Sequence, residues 1–160
     1  MRLLFSLLLF LALLAPARAD TAEASAQLAA IVEQLALIDK AIDEKRNDDE
    51  ALVAIRVRLE PIAKDLIALG VALRPRLTEI NRRLEEIGPP PKSDEPPELA
   101  EVTSERRALL QEKARINAVL GEAEAVSIRA NDAVDEISAI RRELFSNTLF
   151  RRTDIGVVFD

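Results

Sequence analysis

The stretch LVAIRVRLEPIAKDLIALGVALRPRLTEINRRLEEI, Leu52 to Ile87, places Leu52, Leu59, Leu66, Leu73, Ile80 and Ile87 at a strict spacing of seven. Ile55, Ile62 and Leu69 complete an alternation of threes and fours, which is the apolar seam of a coiled-coil helix. After Leu73 the step to Leu77 is four again, and the seam continues through Ile80, Leu84 and Ile87. Two successive fours make a stutter, where a coiled coil locally unwinds. It falls at Arg74-Pro75. Pro61 and Pro75 each remove one N–H bond and crowd the carbonyls of Val57 and Val71. A seam that passes through both with little loss of phase predicts mild kinks in one helix, about 49–87, rather than two helix ends.

The same pattern extends on both sides. Leu28, Ile31, Leu35, Ile38 and Ile42 form a heptad seam in a first helix over about 21–46. Asn47-Asp48-Asp49-Glu50 breaks it, and Asn47 or Asp48 can accept from the free N–H groups that open the next helix. A third helix, about 98–146, carries Val102, Leu109, Ile116, Ala123, Ala130, Ile137 and Leu144 seven apart, with Val119, Val126, Ala133 and Ile140 as a second file. Between the second and third helices, GPPPKSDEPP (88–97) has no helical pattern; Gly88 suits a helix C-terminus, and the prolines stop continuation. A stiff hairpin turn accounts for it, and an extended ligand for an SH3-like groove is the alternative.

The widths of these faces predict the architecture. Around the Pro loop both seams are narrow, which suits two helices; Val53, Val57, Ile67 and Val71 widen the second helix before Pro75, and the third widens after Leu110, which suits three. The expected fold is all-α: an elongated antiparallel helical hairpin and three-helix coiled-coil bundle. Its base has three helices, its arm two, and the third helix outruns its partners beyond Glu136. Gly70 and Gly121 stand singly within helices, as points of close approach or of flexibility.

Met1-Arg2, the apolar run Leu3 to Ala15 and the small-x-small Ala17-Arg18-Ala19 read as a cleaved secretory signal peptide over 1–19. The run is too short to span a bilayer core as a stable helix, although an uncleaved anchor is the alternative. Loss of Arg2 and Arg18 would leave 20 basic against 28 acidic residues, so the mature net charge is −8 and nucleic acid is not an expected partner. Cysteine and histidine are absent. Disulfides, the usual zinc sites, and Cys- or Ser-His catalysis go with them. Asp48-Asp49, Glu85-Glu86 and Asp132/Asp135/Glu136 have carboxylates in pairs, but on charged helices these serve solvation and i,i+4 pairing. The expectation is a non-enzymatic chain with no catalytic, cofactor-binding or metal residues, no cofactor and no small-molecule substrate.

Every aromatic outside the leader lies in ELFSNTLFRRTDIGVVFD, Glu143 to Asp160: Phe145, Phe150 and Phe159. Arg141, Arg142, Arg151 and Arg152 flank Phe145, Leu149 and Phe150. Two readings stand. Cations favour a helix C-terminus and the rings plug the end of the bundle, or the set is a junction facing lipid headgroups or a partner domain. Residues 153–160 are a tail.

The runs LEPIAKDLIALGVALRPRLTEINRRLEEIGPPP (59–91) and EPPELAEVTSERRALLQEKARINAVLGEAEAVSIRANDAVDEISAIRRELFSNTLFRR (95–152) resemble the N-terminal domain of unknown function in larger bacterial mechanosensitive channel proteins of the MscS type. The LRPRL hairpin, the GPPP turn and the RRELF…LFRR end carry the resemblance, which covers about Asp49 to Arg152. It implies a periplasmic helical domain at the outer face of the inner membrane, preceding transmembrane helices and a pore. It implies no catalytic or ligand residues. The expected partner is a channel or transmembrane domain, in cis where the chain is part of a longer protein, with homo-oligomerisation a second option. Since the sequence stops at Asp160, the expectations are a fragment, an early-terminated copy or a separate periplasmic protein. A free-standing coiled-coil adaptor or holdase is the alternative function.

Overall fold

A computed structural model of the chain describes residues 15–92, 94 and 96–154, without the side chains of 15–20 and 151–154. Residues 1–14 of the expected leader and Phe159 lie outside the described residues. Among those described there are three helices and no strand: α1 (Ala15–Glu44), α2 (Asp49–Ile87) and α3 (Ala100–Asp154). The fold is all-α. No helix among them is long and apolar enough to cross a membrane.

Helix ends follow local chemistry. Asp48 caps α2: its carboxylate accepts from the Ala51 N–H at 3.0 Å, and its carbonyl accepts from Leu52 at 3.0 Å. Asp49 and Glu50 then lie in the first turn, facing the positive end of the helix. At the far end Gly88 adopts φ +77°, and its N–H is shared between the carbonyls of Leu84 and Glu85, both at 3.1 Å. A left-handed residue after the last turn closes the helix at no steric cost. Through Pro61 and Pro75 α2 runs on unbroken.

Both outer helices differ from their expected bounds. α1 begins at Ala15 rather than near Thr21, and α3 continues to Asp154 rather than ending near Ser146. Ser146-Asn147-Thr148 looks like a stop, yet the Thr148 hydroxyl donates to the Leu144 carbonyl of its own helix at 2.8 Å. With no Gly or Pro before Gly156, nothing interrupts the ladder.

The described chain divides into two compact units, and each helix contributes to both. One takes the described part of Met1–Leu28 together with Ile67–Ala123. In it Leu69, Leu73 and Ile80 of α2 and Ile116, Val119 and Ala123 of α3 are buried, with Ala24 and Leu28 of α1. Toward the Pro loop Leu77, Leu84, Ile87, Val102 and Leu109 are only half-buried, as a two-helix interface requires. The other unit takes Ala29–Leu66 with the described part of Glu124–Asp160. Here Ile31, Leu35, Ile38 and Ile42 meet Leu52, Ile55, Leu59, Ile62 and Leu66 of α2, and Val126, Ala130, Ala133, Ile137 and Ile140 of α3, in one buried core. Arg46 pairs with Glu136 and Asp39 with Arg129, each 90 residues apart, so α1 and α3 run parallel in this unit.

The expected widening of α2 is corrected. Val53, Val57, Ile67 and Val71 are 40–69% exposed. With Leu52 and Ile55 as the a and d positions, these four fall at b and f, the outer side of the helix, so they add nothing to the seam. On α3 the second file is genuine: Val119, Val126, Ala133 and Ile140 are the d positions to the a positions of Ile116 and its repeats, and all are buried. Neither glycine marks a close approach. A Cβ at Gly70 would meet only Leu120 at 4.0 Å, and one at Gly121 would meet nothing within 4 Å.

Leu59→Asp should abolish the cooperative melt, because it buries an unpaired charge, whereas Ile67→Asp should change stability by less than about 0.5 kcal/mol. Circular dichroism of the two variants checks both. Gly121→Ala should raise stability by about 0.5–1 kcal/mol in urea titration, since the helix gains propensity and the methyl group has room.

Candidate functional site

Without Cys or His, the chemistry available here is that of guanidinium, ammonium, carboxylate and hydroxyl groups. The structure collects them at two places. In the first unit, the d file of α3 continues backwards from Val126 and Val119 to Glu112 and Glu105, seven residues at a time. Two carboxylates therefore stand where the seam calls for apolar groups. Arg76 donates from Nε and Nη2 to both oxygens of Glu112 at 2.7 Å. One heptad on, Arg83 donates to both oxygens of Glu105 at 2.6 and 3.0 Å. The sequence separation falls from 36 to 22 over that heptad, as antiparallel helices demand.

Glu112 is one of only two buried polar residues among those described, its side chain 9% exposed, so the forked pairing compensates its lost hydration. Arg76 has its pKa raised further above the ordinary guanidinium value, first by the Glu112 hydrogen bonds and also by Glu79. Closer to the loop, Arg106 joins Glu98 to the Gly88 carbonyl, tying the start of α3 to the end of α2. The Arg106 hydrogen bond, opposed by desolvation and helped by the Thr103 hydroxyl, holds the Glu98 carboxyl below its usual range. Reading the residues in sequence left Arg76, Arg83, Glu105 and Glu112 unassigned. The seven-residue file running into two glutamates was the signal available.

The second place is a groove between the start of α2 and the end of α3, lined by Asp49, Arg56, Ser138, Arg141, Arg142, Leu144, Phe145 and Thr148. Arg141 donates from Nε to Asp49 at 2.6 Å and from Nη2 at 3.4 Å. That hydrogen bond draws the Asp49 carboxyl below the usual carboxylate range, against a smaller opposing effect of desolvation, and raises Arg141. Arg56 and Arg142 also line the groove and form no ion pair among the described residues.

Of the six residues singled out at this end, the structure brings Arg141, Arg142 and Phe145 together. Phe150, five residues beyond Phe145, lies about 140° further round a helix of about 100° per residue. Arg151 and Arg152 are helical, with side chains outside those described. Phe145 and Phe150 are 67% and 70% exposed, so neither ring plugs a bundle end. One member of each acidic set has a structural partner: Asp48 caps α2, Glu86 meets Arg82 and Arg83, and Glu136 meets Arg46. No three acidic side chains among the described residues are placed to hold a metal ion.

Comparison with known proteins touches this end of the chain. Residues 120–154 match the family model described as "Protein of unknown function (DUF3772)". The matched segment contains RRELFSNTLFRR and the α3 side of the groove, and does not reach the hairpin turn. No curated protein and no solved structure matches the chain.

Arg76→Met alone should destabilise the protein by about 3 kcal/mol, because the buried Glu112 carboxylate loses its partner, while Arg76→Met with Glu112→Leu should come back close to wild type. Urea titrations of the single and double variants check this. Asp49 and Glu98 have folded-state pKa values below their unfolded ones, so their contribution is complete above about pH 4 and is lost as pH falls through the lower folded values. Melting temperature should therefore drop on acidification below about pH 4, less so for Asp49→Asn with Glu98→Gln.

Proposed function

We propose that this chain is a non-enzymatic, exported helical domain of a mechanosensitive-channel-type protein, working in the periplasm as an interaction, spacing or sensing element. The observation that carries the reading is the end of α3. There the RRELFSNTLFRR segment, part of the resemblance to MscS-type proteins, falls inside the residues matched by the family model and combines clustered arginines with an exposed Phe145. The rest of the described chain is consistent with a passive scaffold: Asp48 caps a helix, Glu98, Glu105 and Glu112 pair with arginines, and the buried apolar groups fill helix seams. A free-standing adaptor or holdase is the second reading, favoured by the exposed Val57, Ile67, Val71 and Ile128.

Two measurements test the proposal. A phosphatase reporter that is active only outside the cytoplasm, fused after Asp160, should be active and should fall silent when arginines interrupt Leu7-Leu8-Leu9; activity without residues 1–19 would sink export. The reading frame beyond Asp160 should continue into apolar spans, or lie beside a channel gene. A stop codon with no channel gene nearby removes the channel assignment. Suppression of aggregation of an unfolded outer-membrane protein would favour the holdase.

A further inference from the structure

The groove at the end of α3 has a chemistry that structural pairing does not use up. Asp49 is the one carboxylate lining it, and Arg141 already holds both its oxygens. Arg56 from α2 and Arg142 from α3 therefore bring two uncompensated guanidinium groups to the same groove. Guanidinium groups pair with phosphate oxygens through forked N–H donors. The charge of the groove is locally reversed: three arginines, Arg56, Arg141 and Arg142, line it against Asp49, in a chain whose net charge is −6. Glu143 lies two residues after Arg141, about 200° round the helix, and so faces away from the groove.

We propose that this groove binds the phosphate headgroup of an anionic phospholipid at a membrane surface, with Arg56 and Arg142 as its ligands and Phe145 entering the apolar zone beside it. Phe145 lines the groove and is 67% exposed, and Leu149, on the same face one turn further, is 49% exposed. A soluble phosphate would gain nothing from these groups. An acyl-chain boundary covers them while the arginines stay at headgroup level. The charge reversal supplies complementarity to an anionic leaflet. This inference goes beyond the proposed function and does not need it, since export and vesicle binding are measured separately.

The test is flotation of the full-length protein with vesicles of phosphatidylglycerol and phosphatidylcholine in equal parts, or of phosphatidylcholine alone. Wild type should float with the anionic vesicles at low salt and not with the neutral ones. Arg56→Gln with Arg142→Gln should lower partitioning roughly tenfold or more, and Phe145→Ser should lower it severalfold. Lys64→Gln with Arg74→Gln makes the same charge change at exposed sites away from the groove and should bind like wild type. Neither arginine of the groove variant has an ion-pair partner among the described residues to lose, and an unchanged circular dichroism melt shows that it is folded.

Equal loss in the control pair would overturn the groove in favour of diffuse charge. Binding that survives Arg56→Gln/Arg142→Gln overturns the assignment of ligands. Absence of vesicle binding overturns the proposal, including where inorganic phosphate perturbs the Arg142 resonances, which would mark a soluble-anion site, or where a purified channel domain binds the same face instead.

Discussion

Inside the hairpin a guanidinium and a carboxylate meet where an apolar seam would otherwise continue. Arg76 spans both oxygens of Glu112, and the mostly buried carboxylate has no other compensation for the water it has lost. Sliding α3 by one turn against α2 would part Glu112 from Arg76 and leave a mostly buried carboxylate unpaired. An apolar seam alone tolerates such slips, because one Leu or Ile replaces another at little cost. The Arg83–Glu105 pair repeats the arrangement one heptad nearer the loop, and Arg106 closes the series on the Gly88 carbonyl. Apolar burial drives these helices together, and the polar pairs select the register in which they meet.

The cost is visible in the same place. Where Glu105 and Glu112 occupy the d file, Leu77, Leu84, Val102 and Leu109 are half-buried and Ile80 alone of the α2 seam there is fully buried, whereas the file itself turns apolar and buried at Val119 and Val126. Elsewhere the core needs no aromatic ring: Ala123, Ala130 and Ala133 are buried in the α3 seam, and Leu, Ile and Val fill the rest. Phe145 lies exposed where this packing has run out, beside the Arg141–Asp49 link that ties the start of α2 to the end of α3. Asp49 thus serves twice, at the positive end of α2 and as the anchor of Arg141. That leaves Arg56 and Arg142 as the groove's uncommitted charges.

Much of the fold was legible because it is written locally. The seven-residue files, the Asp48 cap, the Gly88 terminus and the proline-rich turn each depend on a few consecutive residues whose preferences the chain does not have to negotiate. Legibility failed where one face had to be told from another. Val53, Val57, Ile67 and Val71 looked like an enlarged seam by composition, yet at b and f positions they point outward. The end of α3 also differs: the helix runs past Ser146 to Asp154, and the Thr148 hydroxyl donates to the Leu144 carbonyl within it.

At the candidate site the basic and aromatic residues of α3 could be read, but Arg56 and Asp49 could not be added to them, lying some 90 residues away in sequence. By itself, then, the sequence determined the helices, their seams and most of their ends, because helix formation depends on contacts three and four residues apart. Tertiary structure alone decided which arginine met which carboxylate, and so which guanidinium groups stayed uncompensated. Those pairings are set by the register between helices, which only packing can choose.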